Sequence, residues 1–348
     1  MKILMLVNWR MHYLSQDRLD IQPPDKQLCG HPYWFFRYWP EADAQVDILD
    51  YSALPGLHPL EQKVLRFYLL QSFRALGRSR HYDLIISHSA QSGVVLAALR
   101  RLLGRKMPPH VIIDIGCFNG GRESAMQLAP IKFSARSLSG LIYHASVQKE
   151  YYRRHLPWLP ARFVPLGVDS DFFQPLDLKV EDYAVAVGNY QRDYRTLMAA
   201  WKKLPANRWR LKIIGINKLA GELPPGVELV DRVPIDELKR QIAQARFVVL
   251  PLEYKKYAYG QLTLLQAMAL AKAVVVSRVP STTDYVTDGV DALFVNPYDA
   301  DDMSTKLRRL WEEPERAQAL GEAARHTAER FNEAAMAADI HDFIQSVI

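Results

Sequence analysis

Cysteine is scarce in this chain: Cys29 and Cys117 are the only two in 348 residues. Two distant thiols form neither a disulfide framework nor a metal-ligand cluster. A reducing compartment fits that usage best. Long apolar runs are also missing. No stretch approaches the ~20 consecutive apolar residues needed to span a bilayer. The expectation is a soluble cytoplasmic protein, at most peripheral on the inner face of a membrane. The opening MKILMLVNW is too short for a signal peptide and reads as a first strand. Low-complexity segments and short repeats are absent. No carboxylate motif resembles a metal site, so no metal and no resident cofactor are expected. The excess of positive charge is modest at +6. It does not by itself imply nucleic acid, and phosphorylated small molecules or anionic membrane surfaces suit it equally.

What is present is a regular alternation of short apolar strands and helical stretches. The first half offers strands at Lys2–Val7, Gln45–Leu49, Leu84–Ser87, Val111–Ile113, Gly140–His144 and Arg162–Pro165. Helical stretches lie between them at His58–Gly77, Ser92–Leu103 and Ser146–His155. The second half repeats the alternation with strands at Tyr183–Val187, Leu211–Ile214, Val227–Val230, Phe247–Leu250, Ala273–Ser277 and Ala292–Val295. Its helical stretches are Arg195–Lys203, Ile235–Ala245, Gln261–Ala271 and Ala300–Glu313. Continuous apolar strands alternating with helices predict parallel sheets buried on both faces, an α/β architecture. The length exceeds what one core usually supports. The expected division is an N-terminal Rossmann-like domain over 1–167, a second over 168–328, and a C-terminal helix over 329–348. The final helical stretch, Glu315–Ile348, has no strand after it and is expected to cross back to the first domain.

The most informative segment follows Phe247–Leu250. A polar loop, LEYKKYAYG, leads into the helix QLTLLQAMALA and the strand AVVVS. Gly260 precedes the helix and permits close backbone approach. The free amides of Gln261 to Leu264 make a ready diphosphate site. Lys255 and Lys256 supply positive charge, and Gln266 lies further along the helix. A strand–loop–helix unit without any ligand explains the same pattern, because one glycine before a helix is weak evidence.

This segment resembles the signature of retaining GT-B glycosyltransferases of the glycosyltransferase family 4 type, roughly E-x-F-G-x-x-x-x-E-A-M-A followed by P-V-V. It stands here as Ala258, Tyr259, Gly260, Gln261, then Gln266, Ala267, Met268 and Ala269, with Ala273-Val274-Val275 beyond. Upstream, GVDSDFFQP resembles the opening of that family's second domain, and YAVAVGNYQRDYRTLMAAW its first strand and basic segment. Downstream, VSRVPSTTDYVTDGVDALFVNPYDADDM resembles the family's closing stretch. The likeness covers most of Arg162–Asp302 and is much weaker before residue 140.

The resemblance implies two Rossmann-like domains facing a cleft and a nucleotide-sugar donor, with UDP favoured over GDP. It implies a glycan or lipid-linked glycan acceptor, retention of configuration and no metal. Arg192 and Gly188 would meet the diphosphate, together with Lys256 and the helix start at Gly260, Gln261 and Leu262. Tyr259 would line the donor site, and Arg232 and Val233 would lie at the base. The family's two glutamates are replaced by Ala258 and Gln266. Gln266 can still bond two ribose hydroxyls, since an amide donates and accepts. Ala258 offers no such contact, and Glu253 is either a substitute or a solvated loop acid. Ser281, Thr282 and Thr283 either face phosphate or form a turn.

The first half lacks the family's Gly-rich loop; VNWRMHY stands there instead. Strand ends would bring Asn8, Trp9, Ser89 and Asn119 to the acceptor, with Asp114 or His88 assisting its hydroxyl. Turn and capping roles explain those two equally well. Along 58–80, Lys63, Arg66, Arg74 and Arg78 share one helical side, which suits contact with an anionic membrane or simple solvation. The aromatic run 32–40 either lines an acceptor pocket or packs in the core. A non-catalytic nucleotide-sugar or glycan-binding protein, and a sugar-phosphate phosphorylase or epimerase, are the competing expectations.

Overall fold

The structure is a computed structural model that describes residues 1–16, 22, 24–40, 44–51, 60–61, 67–104, 106–205 and 208–348, apart from the side chain of Asn119. The first half folds around a parallel sheet of β1 (Lys2–Leu6), β4 (Gln45–Leu49), β5 (Leu84–His88), β6 (His110–Asp114), β7 (Gly140–Tyr143) and β8 (Ala161–Phe163). Its order is β4-β1-β5-β6-β7-β8. A small parallel pair, β2 (His12–Leu14) and β3 (Lys26–Leu28), stands apart from it. The second sheet holds β9 (Ala184–Val187), β10 (Leu211–Ile214), β11 (Val227–Val230), β12 (Val248–Leu250), β13 (Val274–Ser277) and β14 (Leu293–Val295) in the order β11-β10-β9-β12-β13-β14.

Both sheets are parallel and covered on both faces. Their central strands are largely apolar because neither face meets water, with polar residues mostly at the strand ends. Ile3, Leu4, Met5 and Leu6 are all buried, as are Val274, Val275 and Val276. Each sheet therefore separates two apolar layers. The helices, numbered along the chain, are α1 (Leu69–Arg78), α2 (Ala90–Leu102), α3 (Cys117–Gly120), α4 (Ala125–Ala135), α5 (Gln148–His155), α6 (Tyr194–Trp201), α7 (Ile235–Gln244), α8 (Gln261–Ala269), α9 (Ala300–Glu312), α10 (Pro314–Arg330) and α11 (Glu333–Val347).

The strand orders fix where chemistry can occur. In the first sheet the connection from β1 runs to one side, to β4, and the next strand, β5, is added on the other side. In the second sheet the same reversal happens between β9 and β12. A crevice opens at such a reversal, beyond the carboxyl ends of the strands. Asn8 and Trp9 follow β1, while His88 ends β5 and Ser89 follows it. Gly188 to Arg192 follow β9, and Pro251 to Gly260 follow β12.

Two expectations need correction. The stretch Glu315–Ile348 is two helices, not one. The break falls at Phe331–Asn332, where the Asn332 side chain accepts from the Ala335 amide at 2.8 Å and caps α11. Gly167 is pressed against this corner, and a Cβ there would meet the Asn332 carbonyl oxygen at 2.5 Å. The turn sends α11 across to the first sheet, where Met336, Ile340, Phe343 and Ile344 are buried against Ile3, Met5 and Ile142. Burial contributes about 1.5–3 kcal/mol for each such side chain. Helix α4, with Pro130 inside it, has no counterpart among the expected stretches. The aromatic run packs in the core: Trp34, Phe35, Phe36 and Trp39 lie in the same cluster as α11. Lys63, Val64 and Arg66 of the basic stretch fall outside the described residues. Within α1, Leu69 and Phe73 are exposed, and Arg78 is also exposed.

Candidate functional site

The second crevice is built around a half-buried cation. Arg192 is held by its own chain: Nε donates to the Val187 carbonyl at 2.9 Å and Nη1 to that of Tyr190 at 3.0 Å. Its Nη2 reaches Thr263 Oγ1, in the first turn of α8, at 3.2 Å. No carboxylate pairs with it among the described residues, and burial pulls its pKa down. Gly188 is required here on two counts. Its φ is +96°, and a Cβ would lie 2.9 Å from Arg192 Nη2. Next to the guanidinium stands the start of α8. Gly260 caps that helix with a φ of +79° and no side-chain cap, so the first amides of the helix are left for a ligand. A desolvated cation without an acid, beside an open helix N-terminus, leaves a net positive potential. A diphosphate neutralises it with charge-assisted bonds.

The loop leading to Gly260 is braced on the first domain. The Ala258 amide donates to the Ile115 carbonyl at 3.1 Å. Gln261 Nε2 donates to the His144 carbonyl at 3.1 Å, and Tyr285 donates to the same oxygen at 3.0 Å. Ser146 bonds Asp284 through both its amide and its hydroxyl. The carboxyl edges of the two sheets thus face each other. Gln261 spends its side chain on this junction, so what it offers a donor is its amide. Tyr259 is buried, and its hydroxyl donates to the Glu253 carbonyl. Glu253 itself pairs with Lys255 at 3.1 Å, the behaviour of a solvated loop acid. Lys256 and Arg232 are exposed, Leu262 is 44% exposed, and Val233 packs half-buried on the second domain's core. Gln266 lies buried further along α8. Ser281 and Thr282 are wholly buried, and Thr282 donates within its own turn to the Ser277 carbonyl at 2.9 Å.

The first crevice is built differently. Trp9 donates through Nε1 to the Pro24 carbonyl at 2.8 Å and packs edge-on against His88, with ring centroids 4.8 Å apart. Trp34 also lies against that ring at 5.6 Å, and it touches Trp9 edge-on with centroids 6.1 Å apart. Burial, with His144 adding repulsion, pushes the His88 pKa down to about 3, so the ring is neutral at physiological pH. Ser89 has φ 75° and ψ 153°, a region that glycine alone occupies without strain. The backbone of Asn119 lies in α3.

Asp114 sits beneath this crevice rather than in it. Its carboxylate accepts from the Phe118 amide at 2.7 Å, the Gly116 amide at 3.4 Å and the Tyr152 hydroxyl at 2.6 Å. Burial raises its pKa while these donors oppose the rise. The carboxylate anchors the loop Ile115–Phe118, where Cys117 and Phe118 take left-handed φ values of 51° and 59°. Gln148 strengthens the anchor, donating to Tyr152 at 3.1 Å and to the Ile115 carbonyl at 3.2 Å. Thr263, His144, Gln148, Tyr152 and Tyr285 therefore shape the cleft, although none was singled out by the sequence pattern.

Residues 181–313 match the family model described as Glycosyl transferases group 1. The chain is similar to an MMP alpha-(1->4)-mannosyltransferase of Mycolicibacterium hassiacum, 29% identical over 179 residues. That match spans 47% of this chain and 43% of the relative, so it takes in less than half of either protein. Two solved structures extend the likeness over nearly the full length. Sucrose-phosphate synthase from Thermosynechococcus elongatus superposes with a TM-score of 0.74 at 17% identity, covering 99% of each chain. Anabaena HepE in complex with UDP gives 0.71 at 15% identity, covering 99% of this chain and 100% of that one. At such identities the likeness is one of fold: two Rossmann-like halves in the GT-B arrangement.

Proposed function

With a second domain of the Glycosyl transferases group 1 family in a GT-B fold as its premise, we propose that the protein transfers a sugar from a nucleoside-diphosphate donor, UDP-linked in preference to GDP-linked, to a hydroxyl of a glycan or lipid-linked glycan. The observation that carries this reading is Arg192, a half-buried guanidinium with no acid partner among the described residues, beside the uncapped start of α8. Charge on the departing diphosphate grows as the glycosidic bond breaks, and preorganised donors at that point stabilise the transition state. Arg192 and the amides at Gly260, Gln261 and Leu262 supply them, Gly188 lets the backbone approach, and Lys256 reaches in from the loop. Gln266 meets the ribose, Arg232 and Val233 the base, and Tyr259 forms a wall.

Asn8, Trp9, Ser89 and Asn119 receive the acceptor from the opposite crevice. Of the two groups considered as its base, Asp114 is occupied by its own loop. His88 remains neutral at the cleft but is too weakly basic to carry full proton transfer. The departing diphosphate therefore takes the acceptor proton on the side where the acceptor attacks, which gives retention without a metal. Both domains stay on the cytoplasmic side, and α1 with its exposed Leu69 and Phe73 and its basic Arg78 meets an anionic inner-membrane surface. No helix among the described residues is long and apolar enough to cross a membrane.

A second reading has one observation in its favour. Ala258 replaces a glutamate, and its amide is committed to Ile115, which suits a protein that binds the nucleotide sugar without transfer. Thermal melts with UDP, GDP and ADP, followed by donor turnover across an acceptor panel, separate the readings. UDP is expected to raise the midpoint most. Binding with no transfer or hydrolysis selects the second reading, and no shift with any nucleotide together with no turnover rejects both.

A further inference from the structure

We propose that the crevice of the first domain is a binding site for a phosphate group carried by the acceptor, held by the hydroxyls of Ser89 and Ser92, the His88 ring and the open amides that begin α2. The claim that the phosphate belongs to an acceptor rests on the transferase reading above. The site itself rests on separate observations.

The first observation is where polar groups are left unpaired. Eleven buried side-chain atoms lack a partner among the described residues, and three of them, His88 Nδ1, Ser89 Oγ and Ser92 Oγ, fall within one five-residue segment. His88 and Ser89 are 6% and 8% exposed, and Ser92 is fully buried. Buried polar atoms are nearly always paired in folded proteins, so a concentration of unpaired ones marks a place where a partner arrives.

The second observation is the helix they begin. A serine at this cap position usually accepts from the amide three residues on. Here the Ser92 amide turns to the Ser89 carbonyl at 3.3 Å instead, and α2, 13 residues long, has no side-chain cap. The hydroxyl at the mouth of the helix is therefore free, and the positive end of the helix is unneutralised.

Strain adds a third. Ser89 holds a backbone conformation suited to glycine, yet it carries a side chain with no partner inside the protein. Strain of this kind persists where the surroundings impose it, and it clusters at ligand sites. The location agrees, since the segment leaves β5 at the reversal of strand order, beside Trp9 and Asn8. Hydroxyl and amide donors gathered at one helix start suit an anion. Asp83 lies at the opposite end of β5, where it accepts from the Lys2 amide at 2.7 Å, and Asp114, at the end of the neighbouring strand β6, is turned into its own loop. A tetrahedral phosphate offers enough acceptors for all of these donors.

Equilibrium binding to the full chain tests the assignment with two probe pairs: glucose 6-phosphate against glucose, and phosphatidylcholine vesicles carrying phosphatidic acid against phosphatidylcholine vesicles carrying diacylglycerol, which differ by one phosphate monoester. A preference of about tenfold or more for the phosphate-bearing member of the first pair identifies a soluble phosphorylated acceptor. The same preference in the second pair alone identifies a lipid phosphate. In either case Ser89→Gly and Ser92→Ala each reduce the preferred binding roughly three- to tenfold, the scale of one hydrogen bond. Ser89→Gly also raises the melting temperature, because glycine accepts the strained conformation. Equal affinity within both pairs, or an undiminished preference in both variants, overturns the assignment. UDP binding measured on the same preparations reports the donor site separately. Phosphate selectivity that depends on Ser89, in a chain that does not bind UDP, supports this site and rejects the transferase reading.

Discussion

The two crevices occupy equivalent places in their sheets, yet they meet the same demand with opposite materials. In the second domain the backbone beside the guanidinium and at the helix start belongs to glycines, Gly188 at +96° and Gly260 at +79°, with Gln191 at +52° between Gly188 and Arg192. The charge belongs to Arg192, whose guanidinium is positioned by two carbonyls and a hydroxyl and keeps its remaining N–H groups for a ligand. In the first domain the unusual backbone belongs to Ser89, and the polar groups around it are neutral and unpaired. One crevice is preorganised around a fixed charge. The other holds strain and open bonds. The first arrangement suits an invariant part of a substrate, such as a diphosphate, and the second suits the part that differs from enzyme to enzyme.

Arg192→Ala gives the largest expected effect and tests the first half of this contrast. Losing charge-assisted hydrogen bonds to the diphosphate costs about 1.5–3 kcal/mol, so UDP affinity falls roughly ten- to a hundredfold by calorimetry. Folding stability changes far less, because the variant also removes a desolvated cation that has no ion-pair partner. A loss of stability as large as the loss of binding would make Arg192 a structural residue and dissolve the distinction.

The contrast also explains what the sequence revealed. Gly188, Gly260 and Arg192 were legible because glycine at a strand end and a basic residue after it announce their purpose in composition. The alternation of strands and helices located all the strands of both large sheets; the central ones read as nearly unbroken apolar runs because both faces are buried, while the edge strands β4 and β11 are partly exposed and interrupted by charge. The partners of these residues stayed hidden. Thr263 gains its role from a guanidinium 71 residues away, and Tyr152 from a carboxylate 38 residues away. Asp114 was read as a base because it ends a strand at the cleft, and only tertiary structure shows its oxygens accepting from the loop that follows. The pair β2 and β3 was too short to register, at three residues each.

Opposite signs are expected when glycine is exchanged at the two helix starts, an effect intermediate in size. Gly260→Ala places a Cβ 3.0 Å from Leu252 Cδ1 at a φ of +79°, which destabilises the chain by about 1–2 kcal/mol. Ser89→Gly relieves strain and stabilises by up to about 1 kcal/mol, net of the flexibility that glycine adds to the unfolded chain. Chemical denaturation of both variants measures the pair. Equal signs would mean that the strain at Ser89 is compensated by its surroundings and that the two crevices are more alike than their backbones indicate.

The smallest effect is expected at Glu253, and it sharpens the boundary of the donor site. Its carboxylate is half-exposed and pairs with Lys255 at 3.1 Å, while its carbonyl, not its side chain, receives the Tyr259 hydroxyl. An exposed pair of this kind is worth about 0–1 kcal/mol and is screened by salt. Glu253→Ala leaves the carbonyl in place, so Tyr259 and the approach to Gly260 keep their positions. UDP affinity is then expected to change less than about threefold, and affinity for the complete donor should follow it. If the nucleotide sugar weakens tenfold while UDP does not, the carboxylate has moved from Lys255 to the sugar, taking over the contact that Ala258 cannot make. The loop would then be a rearranged sugar site rather than a brace between the domains.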